Sequence, residues 1–408
     1  MLEPRFQPGP VRGIISRVSM HTAAARIGIN AQLLSGANSY RSAGVSGYIR
    51  QLLLHLPAAA PDLDLTAFSP AGSVADFSGI ALEHSRLQTG RPAQRILWEQ
   101  ALLPLSVRRH SLDLLHGAVN LTPLFGLCPT VVTIHDLSFM RYPQAFPAMQ
   151  RTYLRSQVRR SARRARHVIA VSRATRDDIV ALFGVPPQRI AVVYNGVDDV
   201  FKPAEPDLVE AFRRERELPP RFVLHLGTLE PRKNLVRLVQ AFAQARQRLP
   251  GSEDLKLVLA GGKGWDYDDI FAAVERERLQ EQVIFPGYIA DADLPWLYRA
   301  ATVFAYPSLL EGFGLPVLEA MACGTPVVTS SVSSLPEVAG DAALLIDPAS
   351  VDALAGTLVR VLSDAALASE MRAKGLLQAG RFSWQRTASQ TADVYRAALG
   401  MAANRRAA

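Results

Sequence analysis

Short runs of aliphatic and β-branched residues alternate with amphipathic stretches twice along this chain, and that doubled rhythm constrains its fold more than any other feature. ARIGIN (25–30), DLTAF (64–68), DLLH (113–116), TVVTIH (130–135), HVIAVS (167–172) and IAVVYN (190–195) form the first series. Short, largely apolar runs of this kind suit strands buried on both faces, with stretches such as VSGYIRQLLLHL and ATRDDIVALFG as the covering helices. NGVDDVFKPAEPD (195–207), which holds a Gly, two Pro and several acids, reads as a linker. The rhythm then restarts with RFVLHLG (221–227), LKLVLAGG (255–262), QVIFPGY (282–288), TVFAYPS (302–308) and TPVVTS (325–330). The pattern predicts an α/β protein of two Rossmann-like domains, with ligands held at strand carboxyl ends and hence in the cleft between them. FSWQRTASQTADVYRAALGMAA (382–403) reads as one long closing helix.

Length agrees, because 408 residues exceed what one ordinary core serves. With 49% hydrophobic and 20% charged residues the composition is that of a soluble globular protein. No apolar run reaches the ~18–20 residues that span a bilayer. Residues 1–25 carry Arg and Pro without the apolar core of a signal peptide, so a disordered extension is expected there, with Met20 an alternative start. Cys128 and Cys323 sit in no CxxC or Cys/His cluster, which argues against a disulfide scaffold or structural zinc and fits a reducing cytoplasm. The net charge of +8 favours anionic partners: nucleotide, nucleic acid or membrane headgroups.

The chemistry concentrates in EGFGLPVLEAMACGTPVVTS, residues 311–330. Gly312 and Gly314 let backbone approach a ligand, and Pro316 suits the first position of a helix. Free amides at that helix start, with the positive end of its dipole, form a seat for a pyrophosphate. Glu319 is expected in the first turn, within reach of ribose hydroxyls, and Glu311 on the incoming loop faces the same space. A plain Rossmann loop would explain the glycines, but two carboxylates beside a phosphate seat call for hydroxyl groups to bind.

This segment resembles the hallmark of retaining glycosyltransferase family 4, in which two glutamates with seven residues between them contact the donor. GTLEPRKNL (227–235) resembles that family's pyrophosphate loop, VYNGVD (193–198) its interdomain hinge, TIHDLSF (133–139) the end of a first-domain strand, and AGVSGY (43–48) its first Gly-rich loop. The resemblance runs in family order from about residue 26 to 385. It implies a GT-B fold, with residues 26–198 an acceptor domain, 199–384 a nucleotide-sugar domain and 385–408 a helix returning to the first domain. It also implies retention of anomeric configuration, often explained by a front-face mechanism in which the leaving phosphate helps deprotonate the acceptor.

The site carried over is specific to this chain. Lys233 and Arg232 would meet charge building on the leaving diphosphate, with His135, Glu311 and Lys233 as the catalytic set. Thr228 follows Gly227 where many relatives have an arginine, so that contact is either missing here or replaced by Arg232. Gly44, Gly227, Gly312, Phe313, Gly314, Leu315 and Glu319 complete the donor site, Tyr288 would either hold the base, mostly through backbone, or serve packing, and Asp136 would orient His135 or meet the acceptor. The triplets Asp62/Asp64, Asp266/Asp268 and Asp291/Asp293 suggest metal ligands in another transferase fold. Here Asp291 and Asp293 are expected to cap a helix, and no metal or other cofactor is called for. The subgroup resembled suggests mannosyl transfer, hence GDP-mannose, onto a glycan or lipid-linked acceptor in surface-polysaccharide or glycolipid synthesis. Arg151, Arg155, Arg159 and Arg163 fall on one stripe of a helix over 151–166, either a solvated face or a peripheral contact with anionic lipid at the inner side of a membrane.

Three other classes fit less well. A nicotinamide dehydrogenase needs GxGxxG after a strand with an acid about twenty residues on, and neither half has it. A nucleic-acid binder explains the charge but not the glutamates, and no aromatic-rich motif accompanies the arginines. A sugar-nucleotide epimerase of the same fold is the nearer alternative but lacks the glutamate pair.

Overall fold

The computed structural model describes residues 24–35, 44–71, 77–87 and 89–401. The N-terminal extension therefore lies outside the described residues, save Ala24 and Ala25, as do the last residues of the closing segment. The first sheet contains β1 (Ala25–Asn30), β2 (Leu63–Ser69), β3 (Ala81–His84), β4 (Leu114–Gly117), β5 (Thr130–Ile134), β6 (His167–Ala170) and β7 (Ile190–Val192). Its order is β3-β2-β1-β4-β5-β6-β7, with parallel pairing throughout. The second holds β8 (Arg221–Leu226), β9 (Leu255–Ala260), β10 (Val283–Gly287), β11 (Val303–Tyr306), β12 (Val327–Ser330) and β13 (Leu344–Ile346), in the order β10-β9-β8-β11-β12-β13 and again parallel. Two doubly wound sheets, as the repeated apolar runs require, carry the structure.

Burial explains which runs became strands. In β1, Ile27 and Ile29 pack with the helix Val45–Ala59 and the closing helix Trp384–Leu399 in one cluster, with Tyr48, Leu52, Trp384 and Tyr395. The opposite face of this sheet packs Phe68 and Leu115 against Trp98 and Leu103, and Val132 and Ile134 against Val158 and Ile179. Two strands were not foreseen. β3 is a short edge strand with exposed or half-buried residues, and β13 has three residues, one of them exposed. IAVVYN forms a strand only over Ile190–Val192, because the chain must then leave the sheet.

Each sheet reverses its winding once, between β1 and β4 and between β8 and β11, and the crevices above these switch points are where such folds bind ligands. The chain passes between the two halves twice. Val197 bridges Ser383, and a Cβ on Gly196 would lie 2.1 Å from the amide nitrogen of Trp384, so the two crossings run in contact. Beyond the second crossing the closing helix lies on the first half, where Arg396 pairs with Asp62 at 2.6 Å.

Candidate active site

Over the second switch point, the loops after β8 and β11 converge. β8 leads through Gly227 into a 3-10 turn, Pro231–Lys233, then Asn234 in a left-handed conformation and the helix Leu235–Arg248. Asn234 fixes the turn by donating to the carbonyls of Pro307 (3.1 Å) and Pro348 (2.7 Å). The buried Lys233 ammonium thereby comes to lie 2.6 Å from Glu311 Oε1 and 2.6 Å from the Tyr306 hydroxyl, with Nζ 4.8 Å from the Tyr306 ring centroid. Arg232 reaches Glu311 Oε2 at 3.0 Å, the Leu310 carbonyl at 2.7 Å and Glu230 at 2.6 Å. Burial alone would raise the Glu311 carboxyl, but Arg232 and Lys233 outweigh it and hold its pKa at about 2. Burial opposes the charge on Arg232 too, and Glu311, Glu230 and Asp136 more than offset it. The sequence suggested two cations awaiting a phosphate; in the structure both are already paired with carboxylates.

The loop carrying Glu311 is held from below by two serines that sequence reasoning did not single out. Ser333 donates to the Glu311 carbonyl (2.6 Å), and Ser334 to those of Glu311 (3.0 Å) and Phe313 (2.8 Å). Gly314, at φ 108°, then starts the helix Leu315–Ala322 with no side chain capping its amides. Pro316 is the second helical residue rather than the first, and Glu319 stands in the second turn rather than the first, because the left-handed Gly314 starts the helix one residue earlier. Phe313 turns its ring into the core between Tyr194 and Phe382, so only its backbone can face a ligand.

Glu319 accepts a 2.9 Å hydrogen bond from the Tyr298 hydroxyl. Burial, with Asp198 and Asp291 nearby, outweighs that bond and pushes the carboxyl up to about 7. The sign of the linkage is therefore the reverse of the usual carboxylate: the unfolded chain ionises first, and stability is lost as pH rises from about 4.5 to about 7. Glu319→Gln is expected to unfold at a temperature that gains on native as pH climbs through that window without ligand. Parallel melting curves for the two proteins would disprove the shift.

On the facing half, His135 follows β5. Its backbone N–H donates to Asn120 Oδ1 (2.9 Å), and its Nε2 to the Ala118 carbonyl (2.9 Å). Burial lowers its pKa and favours the neutral ring, and because a carbonyl can only accept, the proton sits on Nε2 and the lone pair on Nδ1. Asp136 was expected to orient this ring or to meet the acceptor; its Oδ1 accepts from the amide of Ser138 (2.8 Å) in a local turn. Orientation comes from Ala118 and from Tyr48, whose ring meets His135 edge-on at 4.7 Å. Tyr48 is fixed in turn by a buried chain: its hydroxyl to Thr133 Oγ1 (3.1 Å), that oxygen to His116 Nε2 (2.8 Å), and His116 Nδ1 to the Tyr395 hydroxyl (2.7 Å). Burial, with His135 adjacent, lowers His116 to about 3 and keeps it neutral. Tyr395→Phe strips one partner from a buried imidazole and is expected to cost about 1–3 kcal/mol of stability. An unchanged denaturant midpoint would count against the chain.

The two halves meet at the site itself. A Cβ on Gly312 would stand 1.8 Å from the His135 carbonyl oxygen and 3.0 Å from Asp136 Cβ. Thr175 Oγ1 donates to the Gly312 carbonyl at 3.2 Å. Nearby, Glu337 accepts from the amides of Arg173 (3.0 Å) and Ala174 (3.0 Å) and from the Tyr194 hydroxyl (2.9 Å). His135, Asp136, Arg232, Lys233, Glu311 and Gly312 are thus drawn together. Gly44 starts the helix Val45–Ala59 at φ 63°, with no atom of the described residues within 4 Å of where a Cβ would be. The Tyr288 hydroxyl donates to Asp291 at 3.1 Å.

In the acidic triplets, Asp62 pairs with Arg396 and Asp291 accepts from Tyr288. Asp293 occupies a helix start, but with a helical backbone and no capping bond; its carboxylate pairs with Arg216 at 3.1 Å. Among the described residues no group of three or more His, Cys, Asp or Glu could hold a metal ion.

Paired doubly wound sheets, an uncapped helix start flanked by two glutamates, and a closing helix that returns to the first half define a GT-B glycosyltransferase. Residues 42–201 match the family described as Glycosyltransferase Family 4, and residues 209–377 that described as Glycosyl transferases group 1. The O-antigen chain mannosyltransferase B of Escherichia coli is 33% identical over 375 residues, spanning 88% of this chain and 97% of that protein. Two solved structures share the fold. Sucrose-phosphate synthase of Thermosynechococcus elongatus has a TM-score of 0.71 at 24% identity and covers 91% of this chain and 98% of its own. Anabaena Alr3699/HepE in complex with UDP and glucose has a TM-score of 0.68 at 20% identity, covering 91% of this chain and 100% of its own. The chain belongs to glycosyltransferase family 4. It transfers a sugar from a nucleotide-diphosphate donor to a glycan or lipid acceptor.

Proposed function

We propose that this enzyme is a retaining hexosyltransferase that uses GDP-mannose, works without a metal, and extends a lipid-linked glycan in surface-polysaccharide synthesis at the cytoplasmic side of a membrane. The observation that carries it is the meeting of Lys233, Glu311 and the uncapped helix start at Leu315 with His135 across the interdomain contact. The name of the Escherichia coli relative supports mannose and an O-antigen-like acceptor.

In this reading residues 199–384 hold the donor and residues 26–198 the acceptor. The Leu315 amide at the positive end of the helix and Lys233, with Arg232 behind it, receive the diphosphate. Glu311 shifts part of its bonding from Lys233 to sugar hydroxyls, Glu319 takes those of the ribose, and backbone near Tyr288 frames the base. Gly227 and Gly44 leave room for the phosphates from either side. The Nδ1 lone pair of His135 accepts from a sugar hydroxyl near the reacting carbon. Asp136 lies on the acceptor side. The bond from C1 to the phosphate oxygen breaks, a bond from C1 to the acceptor oxygen forms on the same face, and the acceptor proton leaves with the phosphate. Neither glutamate acts as a glycosidase acid or nucleophile.

The test is calorimetry with GDP and UDP, then NMR of the product's anomeric proton with GDP-mannose, with and without chelator. GDP preference, an α-linked mannose and indifference to chelator are expected. A β-linked product ends the claim of retention, and a chelator-sensitive rate ends the claim of metal independence.

A further inference from the structure

We propose that one flank of the first domain is a membrane-docking face, in which five exposed apolar side chains enter an anionic bilayer beside an arginine-covered helix. The proposal rests on the membrane-side location given above and assigns it a surface. Three segments lie side by side over the same face of the first sheet. They are the helical run Pro92–Arg109, the connection from β4 to β5, and the helix Ala148–Arg164. They are stitched together: the Leu124 amide donates to Gln100 Oε1 (2.8 Å), the Thr122 amide to Ser161 Oγ (3.0 Å), and Arg164 to the Leu124 carbonyl (2.9 Å).

From this assembly Met149, Phe125, Leu105, Leu127 and Leu97 project into solvent, between 57% and 86% exposed. Elsewhere among the described residues only Leu377 is a large apolar side chain so exposed. Side chains of this kind on adjoining segments mark an interaction surface rather than chance exposure.

Charge names the partner. The helix Ala148–Arg164 contains six arginines and no acid, and its Arg155, Arg159, Arg160 and Arg164 are exposed, while Val158 and Ala162 face the core. Between residues 137 and 172 there are eight arginines and no acidic residue. A surface that mixes leucine, methionine and phenylalanine with arginine matches a headgroup region over acyl chains: the apolar tips insert, and guanidinium groups stay with the phosphates. A nucleic-acid groove would instead offer aromatic platforms for stacking, and Phe125 is the sole exposed aromatic of the five. Among the described residues no helix is long and apolar enough to cross a membrane, so contact from the side is the mode this surface allows.

The experiment is co-sedimentation of the full chain with vesicles of phosphatidylcholine alone or mixed equally with phosphatidylglycerol. Native protein is expected to pellet with the mixed vesicles only, and a fraction should resist high salt. Replacing Arg155 and Arg159 by serine should weaken partitioning roughly 30-fold, at about 1 kcal/mol for each charge near the surface. Phe125→Ser with Leu127→Ser should abolish the salt-resistant fraction. Calorimetry with GDP on the same preparations should give equal affinities for all three proteins. The proposal is overturned by binding to neutral vesicles as strong as to mixed ones, by native-like binding of either variant, or by binding that single-stranded RNA displaces and the apolar substitutions leave unchanged. Vesicle binding without nucleotide binding would sink the functional reading and leave this surface standing; the converse would do the reverse.

Discussion

Lys233→Ala is expected to lower kcat by about 10²–10³-fold, the scale of losing one preorganised group that meets charge developing in the transition state. The ammonium is buried, with 2.6 Å bonds to Glu311 and Tyr306, so it is held in place before any donor arrives. Its loss acts twice. It removes a charge beside the proposed phosphate seat, and it leaves Arg232 as the remaining cation on Glu311, so the Glu311 carboxyl should rise from about 2. Because the two side chains work as a unit, the double variant with Glu311→Gln should cost little more than the worse single change. Lys233→Met, which keeps most of the aliphatic stem, separates packing from charge. A kcat for either Lys233 variant within a few-fold of native would refute the assignment.

Gly312→Ala should do comparable damage by geometry alone. The added methyl carbon would stand 1.8 Å from the His135 carbonyl oxygen, where only backbone could yield. The glutamate loop and the histidine strand end must then part, and a displacement of about 1 Å in a reacting constellation costs on the order of 10²-fold. Nucleotide affinity should hold within a few-fold, since the amides and cations of the second half are untouched. Full activity would mean that this contact is not part of the working enzyme. Unchanged kcat with weakened GDP binding would place the damage on the donor side alone.

The doubled βα rhythm was legible because strands buried on both faces write themselves as unbroken apolar runs; ARIGIN matches β1 residue for residue. β3 was invisible because ALEH lies at an edge, short and partly wet. The loop over 311–319 announced itself through glycines, a proline and spaced acids, features that depend on local backbone. Its partners did not. Lys233 meets Glu311 across 78 positions, Ser333 and Ser334 reach it only through a crossover, and Glu337 spans the interdomain contact. Asp136 shows the same limit: adjacency in sequence at the end of a strand does not by itself bond two side chains, and a local turn holds one of its carboxylate oxygens. Asp293 misled because a helix-start position does not make a cap when the backbone is already helical.

The paired crossings at Gly196–Val197 and Ser383–Trp384 have a mechanical consequence. A single linker lets two bodies swing, slide and twist, whereas two crossings joined at one bridge act as one pin, leaving a swing about that point as the easy motion. Clipping the chain before residue 384 would unhang the door: the bodies could then pivot freely, and the stretch of Tyr48 and His116 that the returning helix covers would be open to water.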